Sequence, residues 1–178
     1  DMAAVESLGD DVPSIRVDFG PVMTGGLLGA RTEFGSETTW THAFLNDDWS
    51  NAPEWRIDEK NRFWQTYTKL MTLTAKHARG RYLVRTPDYG GSADVLLNLR
   101  GSEGLCIDVL EKPEVVIDAV DKIYPLWHRA FSEGYRRALA EGAGIIHWIC
   151  LWSDAPYMIP ACDFNYMIGP RQFERICL

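Results

Sequence analysis

Several polar and aromatic residues that could take part in chemistry follow segments typical of strands or of capped turns. They are Asp18, Asp88, Tyr89, Trp152, Ser153, Asp154, Tyr157 and Asp163. Carboxylates at such positions could orient amine groups of a substrate, and the hydroxyls of Ser153 and Tyr89 could donate hydrogen bonds to a developing anion. Each residue also has a structural alternative, since Asp88 and Asp163 could cap helices and the aromatic rings could pack against the core.

The segment of residues 144–163 would position part of this set. It begins with an apolar run, residues 145–151, which is rich in β-branched and aromatic residues and too short to span a membrane. The run follows a long helical pattern and predicts a strand buried on both faces, as in a parallel sheet. Reactive groups of α/β proteins lie beyond the carboxyl ends of strands. We therefore expect Trp152, Ser153 and Asp154 on the rim of any site.

Two further strands are predicted earlier in the chain, at residues 14–18 and 81–86. The first ends at Asp18, and a turn that contains Asp88 and Tyr89 follows the second. The spacing of apolar residues predicts helices at residues 58–78, 92–100, 101–110, 113–139 and 170–178. The longest of these contains a proline that should kink or break it. This alternation favours one α/β domain with a mostly parallel sheet.

Charge and cysteine content restrict the class of protein. The 178 residues carry a net charge of −7 and show no basic stripe, which argues against a nucleic-acid surface. Neither a signal peptide nor a transmembrane run is found, so we expect no membrane association. The cysteines lack a CxxC or paired spacing and indicate reduced thiols in a cytoplasmic protein. They are Cys106, Cys150, Cys162 and Cys177.

The histidines do not predict a metal site. No second His or Cys stands at metal-binding spacing from His42. His147 and Cys150 are three residues apart within the predicted strand, where their side chains would point to opposite faces and could not share a metal ion. We therefore assign no metal ligand in this chain.

A set of short blocks carries a resemblance to a known family. From residue 81 onward these blocks are residues 81–84, 87–91, 99–101, 110–113, 152–156, 162–164 and 167–173. Their order resembles the uroporphyrinogen decarboxylase superfamily, which also contains corrinoid- and coenzyme-M-dependent methyltransferases. Earlier segments are similar to a less characterised bacterial branch of that superfamily, at residues 19–21, 34–35, 39–40, 48–49 and 53–54. The resemblance thus covers nearly the whole chain.

The resemblance implies a fold. The family fold is a (β/α)8 TIM barrel, in which parallel strands alternate with helices, and such a barrel takes about 250 residues. Residues 1–178 would then form the middle part of a barrel, without its N-terminal and C-terminal strands. A partial barrel leaves open sheet edges. We therefore expect either an incomplete chain, which agrees with the absence of an initial Met, or pairing with a second copy as a homodimer.

The resemblance also implies an activity. It indicates a uroporphyrinogen decarboxylase-like enzyme that binds a tetrapyrrole-like or small methylated substrate at the carboxyl-terminal mouth of the barrel, with no metal or organic cofactor. Ser153, Asp154 and Tyr89 would be catalytic. The substrate-binding residues would be Asp18, Asp88, Trp152, Tyr157 and Asp163.

This chain departs from the family pattern at several points. The N-terminal Arg-rich motif and its Asp have no counterpart, and Ala93 stands at the spacing of the family Tyr. The late His of the family would lie beyond Leu178. Two alternatives therefore stay open. One is a zinc- and corrinoid-dependent methyltransferase, whose metal ligands would lie outside this chain and whose partner could be a corrinoid protein. The other is a non-catalytic protein that binds a tetrapyrrole or a corrinoid.

Overall fold

The computed structural model of the protein describes residue 6, residues 8–9, residues 11–159 and residues 161–178. Its strands are β1 (Ser14–Arg16), β2 (Arg31–Phe34), β3 (Thr39–His42), β4 (Leu83–Arg85) and β5 (Ile145–Ile146). Its α-helices are α1 (Met23–Leu27), α2 (Arg62–Ala78), α3 (Ser92–Arg100), α4 (Ser102–Glu111), α5 (Pro113–Ala140) and α6 (Pro170–Cys177). Two 3₁₀ turns lie at Gly20–Val22 and Asp163–Met167.

Three of the strands form a parallel sheet in the order β1-β4-β5. Arg16 is in register with Arg85, and Arg85 is in register with Ile146. The ladder continues one residue beyond the strands, because the Val17 amide donates to the Arg85 carbonyl at 3.3 Å and the Thr86 amide donates to the Ile146 carbonyl at 3.0 Å. The carboxyl ends of all three strands therefore meet at one edge of the sheet.

The expectation that the chain forms part of a (β/α)8 TIM barrel is wrong. Over the described residues there are five short strands, three in the parallel sheet and two in a separate antiparallel pair, and no eight-stranded barrel is seen. The reason lies in the connections. The segment after β1 folds back on itself as the β2–β3 hairpin, and three helices separate β4 from β5. The chain is thus α/β with a small sheet.

The strand predicted at residues 145–151 is much shorter than expected. β5 covers Ile145–Ile146 only, and the chain then turns, with the Cys150 amide donating to the His147 carbonyl at 2.8 Å. Cys150 has a φ of 63°, which lies in the left-handed region and ends any extended conformation. The prediction that His147 and Cys150 lie on opposite faces of one strand is therefore wrong.

The helices provide the core on which the sheet rests. α2 packs against α5 and β4, and α5 also packs against α3, α4 and β5. Asn61 caps α2, since its side chain accepts a hydrogen bond from the Phe63 amide at 2.7 Å, and the helix begins at Arg62 instead of the expected Asp58. α5 runs through Pro125 without a break. Val116, Ile123, Phe131 and Tyr135 on its apolar face are buried in the core, whereas Tyr124 and Leu139 are exposed.

A buried carboxylate fastens the loop after β3 to the α3–α4 corner. The Oδ2 atom of Asp108 accepts hydrogen bonds from Trp49 Nε1 at 2.8 Å and from Arg100 Nε at 2.7 Å. Lys112 Nζ lies 3.6 Å from the other oxygen of Asp108. Arg100 also binds the exposed carboxylate of Asp47 at 2.8 Å. This charged cluster holds a long excursion of the chain in place, because a buried charge is tolerated only when it is paired.

Candidate functional site

β1 and β4 end in two turns of the same kind. The Asp18 carboxylate accepts a hydrogen bond from the Gly20 amide, and the Asp88 carboxylate accepts one from the Gly90 amide, each at 2.8 Å. Gly20 and Gly90 have φ values of 66° and 68°, which favour glycine. Both turns therefore present an aspartate at the carboxyl edge of the sheet, as the sequence predicts for Asp18 and Asp88.

The aromatic residue between Asp and Gly points into the core in both turns. Phe19 and Tyr89 are buried, and their ring centroids lie 6.5 and 6.2 Å from that of Tyr67. Tyr67 donates to the Ala130 carbonyl at 2.8 Å, so the Tyr89 hydroxyl must be the donor in its 2.8 Å contact with the Tyr67 hydroxyl. Burial raises the pKa of Tyr89 well above its usual value. The structure thus places Tyr89 in the core, where its hydroxyl hydrogen is engaged in the hydrogen bond to Tyr67.

Two arginines project side by side from the ends of β1 and β4. Arg16 and Arg85 are in register on neighbouring parallel strands, which puts their side chains on one face of the sheet. Arg16 Nη2 lies 3.1 Å from Asp18 Oδ1, and Arg85 Nη2 lies 3.5 Å from the Ser14 carbonyl. A guanidinium presents several N–H donors in a planar fork that fits a carboxylate. The pair therefore forms a cationic edge on the sheet.

Buried polar atoms without a partner are concentrated at this edge. Within the described residues, the buried side-chain N and O atoms that lack a hydrogen bond are Arg16 Nε, Arg85 Nε, Thr86 Oγ1 and Asp108 Oδ1. The first three belong to the carboxyl ends of β1 and β4. An unsatisfied buried donor costs about 1–3 kcal/mol. Such a cluster is explained when a ligand supplies the missing acceptors.

An aromatic group with a buried imidazole adjoins the arginine pair. The Arg16 guanidinium lies 5.2 Å from the centre of the Trp148 ring, within cation–π range. The His147 ring lies 5.8 Å from the Trp148 ring and 5.9 Å from the Tyr157 ring. The His147 amide is 3.4 Å from the Tyr157 hydroxyl. Tyr157 is therefore brought to the sheet edge, as expected.

The His147 imidazole is buried and accepts a hydrogen bond at one ring nitrogen. Burial lowers its pKa, and the negative charge of Asp88 opposes this shift. The Ile149 amide donates to Nδ1 at 3.4 Å, which leaves the ring proton on Nε2. The imidazole can therefore donate one hydrogen bond from Nε2.

Trp148 of the segment after β5 packs on Arg16, but the predicted residues 152–154 of that segment have no polar partner at the arginine pair. Trp152 is 70% exposed, Asp154 is exposed, and Ser153 is half-buried. The Ser153 Oγ accepts a hydrogen bond from the Ala155 amide at 3.2 Å, which forms a local turn. No hydrogen bond, ion pair or cation–π contact in the described part of the chain joins these three predicted residues to Arg16 or Arg85. Their role as catalytic or binding residues stays a prediction.

Asp163 lies at a second, more distant junction. It begins a 3₁₀ turn and is exposed, while its backbone amide donates to the Asp94 carboxylate at 3.1 Å. Asp94 also accepts from the Phe164 amide at 2.8 Å and from the Gly91 amide at 3.2 Å. The capping role that the sequence leaves open for Asp163 is performed by Asp94. Nothing in this junction brings the Asp163 carboxylate to the sheet edge.

An open cleft of about 330 Å³ adjoins the end of β1. Arg16 and Asp18 form one side, and residues 34–39 of the β2–β3 hairpin form the other. Its size suits a single small ring or a carboxylate side chain of a larger ligand. The cationic edge is therefore accessible from solvent on the β1 side.

The sequence interpretation missed Arg16, Arg85, Thr86 and Trp148, and it considered His147 only as a possible metal ligand, a role that it rejected. One signal was present in the sequence. Arg is the last residue of both short strands, β1 with the sequence SIR and β4 with the sequence LVR. A charged residue in a short strand indicates either an exposed face or a functional position. Among the residues described, no group of three or more His, Cys, Asp and Glu side chains is placed to hold a metal ion.

Comparison with protein-family models, with curated proteins and with solved structures finds no match to this chain. Among its described segments, no helix is long and apolar enough to cross a membrane. The fold and site together define an α/β domain with a cationic, aromatic-flanked sheet edge.

Proposed function

We propose that this chain is a uroporphyrinogen decarboxylase-like enzyme domain that binds a carboxylate-bearing pyrrolic substrate at the carboxyl edge of its parallel sheet. The observation that supports this most directly is the arginine pair. Arg16 and Arg85 each keep a buried Nε–H without an acceptor in the described structure. A substrate carboxylate would supply both acceptors at once. The order of the sequence blocks resembles that of the uroporphyrinogen decarboxylase superfamily and suggests that these carboxylates are the acidic side chains of a porphyrinogen.

Binding would depend on charge and on a flat apolar contact. The substrate carboxylate accepts hydrogen bonds from the two guanidinium groups, which are stronger than neutral hydrogen bonds. Trp148 already packs against Arg16 and keeps that cation in position. The pyrrole N–H groups then face the carboxylates of Asp18 and Asp88, which follow the same two strands.

Loss of carbon dioxide from an acetate side chain breaks the bond between the carboxyl carbon and the methylene. The electron pair of that bond moves into the pyrrole ring, which must first gain a proton to accept it. The methylene afterwards takes a proton and becomes a methyl group, and the ring releases the proton that it gained. The negative charges of Asp18 and Asp88 would stabilise the cationic ring. The Nε2–H of His147 would hold a neighbouring polar group without adding positive charge.

The test compares porphyrin binding and carbon dioxide release in matched variants. Arg16→Gln and Arg85→Gln keep a polar side chain but remove the cation, and Arg171→Gln changes an exposed arginine on α6 as a control. Uroporphyrin is titrated by fluorescence, and carbon dioxide release is measured from reduced uroporphyrinogen. We expect at least about a tenfold weaker affinity in both edge variants, about 1.4 kcal/mol each, and no change in the control.

Each outcome decides between defined alternatives. Release of carbon dioxide that is lost in Arg16→Gln and Arg85→Gln supports the proposal. Tight porphyrin binding without release of carbon dioxide supports a tetrapyrrole-binding protein that lacks the chemistry. Equal binding by the parent chain and both edge variants overturns the assigned site. Urea unfolding of every variant shows whether a loss of binding reflects a loss of the fold.

A further inference from the structure

The fold brings together two cysteines beside the start of α3. The sulfur atoms of Cys162 and Cys177 lie 3.6 Å apart. Cys162 immediately precedes the 3₁₀ turn Asp163–Met167, and Cys177 is the last residue of α6. Both side chains are half-buried. No sequence motif predicts this pair, because the two residues lie in different elements.

Each cysteine is part of a segment that is anchored to the core. Phe164 is fully buried, and the Asp94 carboxylate binds its amide at 2.8 Å. Ile176, the neighbour of Cys177, is also buried. The short sulfur–sulfur distance is therefore imposed by the packing of two elements and does not depend on a free loop. Anchored segments keep the two thiols at a high effective concentration.

The two thiols differ in their tendency to ionise. The two sulfurs share one hydrogen bond in which either thiol can be the donor. With Cys162 as the donor, this hydrogen bond holds the pKa of Cys177 below its usual value. Donation of the same proton raises the pKa of Cys162, as does burial. Asp94 is the carboxylate that faces both sulfurs, and its charge raises the pKa of each. Because the thiolate is the nucleophile of sulfur chemistry, Cys177 is the more reactive member of the pair.

Small molecules can reach the pair from solvent. Cys162 and Cys177 both line a cavity of about 260 Å³. Cys177 also borders a second cavity of about 410 Å³, together with Tyr124 and Trp127. A low-molecular-weight disulfide can therefore approach Cys177 without unfolding of α6.

We propose that Cys162 and Cys177 form a redox-active dithiol, which a low-molecular-weight disulfide oxidises to an intramolecular disulfide that joins α6 to the Asp163–Met167 turn. The Cys177 thiolate attacks one sulfur of the reagent, whose S–S bond breaks and releases one thiolate. The Cys162 sulfur then attacks the mixed disulfide at Cys177, its proton passes to the departing thiolate, and the second small thiol leaves. Two protein thiols are oxidised and one reagent disulfide is reduced to two thiols. This inference does not depend on the proposed function.

The experiment uses the full chain and oxidised glutathione as the reagent. Free thiols are alkylated at timed intervals, and peptide mapping by mass spectrometry identifies each linkage. We expect one disulfide between Cys162 and Cys177, with Cys106 and Cys150 still alkylated, and full reversal by excess reduced glutathione. In Cys162→Ser the reaction should stop at a glutathione adduct on Cys177. In Cys177→Ser the adduct on Cys162 should form at least about tenfold more slowly, since a thiol without a lowered pKa reacts slowly.

Two controls make the result decisive. Cys150→Ser removes an exposed cysteine outside the pair and should oxidise like the parent chain. The urea-unfolded chain should form the Cys162–Cys177 link at least about tenfold more slowly, because the fold no longer holds the sulfurs together. Random pairing among the four cysteines, adducts on Cys150 alone, or equal rates in folded and unfolded chains would overturn the proposal.

Discussion

The Tyr89 hydroxyl donates a hydrogen bond to the Tyr67 hydroxyl, and Tyr67 donates in turn to the Ala130 carbonyl, each over 2.8 Å. This chain of donors joins the turn after β4 to helices α2 and α5 inside the core. Both hydroxyls are buried, so each unpaired group that a substitution leaves behind costs free energy. The direction of donation makes the two tyrosines unequal.

Tyr67→Phe should lower the free energy of unfolding more than Tyr89→Phe. The first change leaves the Tyr89 hydroxyl without an acceptor and also removes the side-chain hydrogen bond to the Ala130 carbonyl, and we expect a loss of about 2–4 kcal/mol. The second removes only a donor to Tyr67, and we expect a loss of about 1 kcal/mol. Urea unfolding followed by circular dichroism measures both. A larger loss in Tyr89→Phe would contradict the assigned direction of donation.

The Asp108 carboxylate should make stability depend on pH in the acid range. Burial raises its pKa, but hydrogen bonds from Arg100 and Trp49 and the charges of Arg100 and Lys112 outweigh burial and hold the pKa below its usual value. A lowered pKa in the folded state stabilises the protein above the pKa of the unfolded chain, about 3.9, and this contribution is lost as the pH falls through the folded pKa.

Asp108→Asn should therefore cost about 3 kcal/mol near pH 7, where the buried pair is broken, and progressively less below about pH 4. Asp47→Asn provides the matched control. Both carboxylates bind Arg100, but the Asp108 side chain is 1% exposed and that of Asp47 is 91% exposed. The control should lose less than about 1 kcal/mol. Urea unfolding from pH 3 to 7 measures these differences, and a constant cost of Asp108→Asn over that range would refute the assignment.

Gly20 and Gly90 occupy equivalent turns but should respond differently to alanine. At Gly90 a Cβ would meet no atom closer than 3.8 Å, so only the positive φ opposes it, at about 1–2 kcal/mol. At Gly20 a Cβ would also collide with the Thr39 Oγ1, which donates to the Phe19 carbonyl at 2.8 Å. We expect Gly20→Ala to cost at least about 1 kcal/mol more than Gly90→Ala, as a lost hydrogen bond does. Thermal unfolding compares the two variants, and equal losses would contradict this expectation.

The helices and the positions of β1 and β4 were predicted from the sequence, whereas the short extent of β5 and the β2–β3 hairpin were not. Apolar residues recur at helical spacing over nine or more residues in each of α2, α3, α4 and α5. A pattern of that length is enough to identify a helix. The strands contribute only two or three registered residues to the parallel sheet. A pattern of that length cannot distinguish β5 from the turn that follows it, since the apolar run continues through Ile149 and Leu151 although both are exposed.

The candidate site was predicted in part. Asp18 and Asp88 were expected at the strand ends and lie there, because the turn chemistry of Asp-x-Gly is local. The pairing of Arg16 with Arg85 depends on register between strands that are distant in the chain, and no local pattern encodes it. The same holds for Cys162 and Cys177, which meet through the docking of α6.

The order of the parallel sheet has a consequence for how the protein folds. α2 lies between β1 and β4 in the chain, and α3, α4 and α5 lie between β4 and β5. Parallel strands that are far apart in the chain pair slowly. The entropy cost of closing the long loop between them comes before their contacts stabilise the pair. Helices with local contacts can therefore be present in a folding intermediate before Arg16 meets Arg85. Anion binding at this edge, which the proposed function requires, would then report on completed pairing of β1 with β4 and not on helix content.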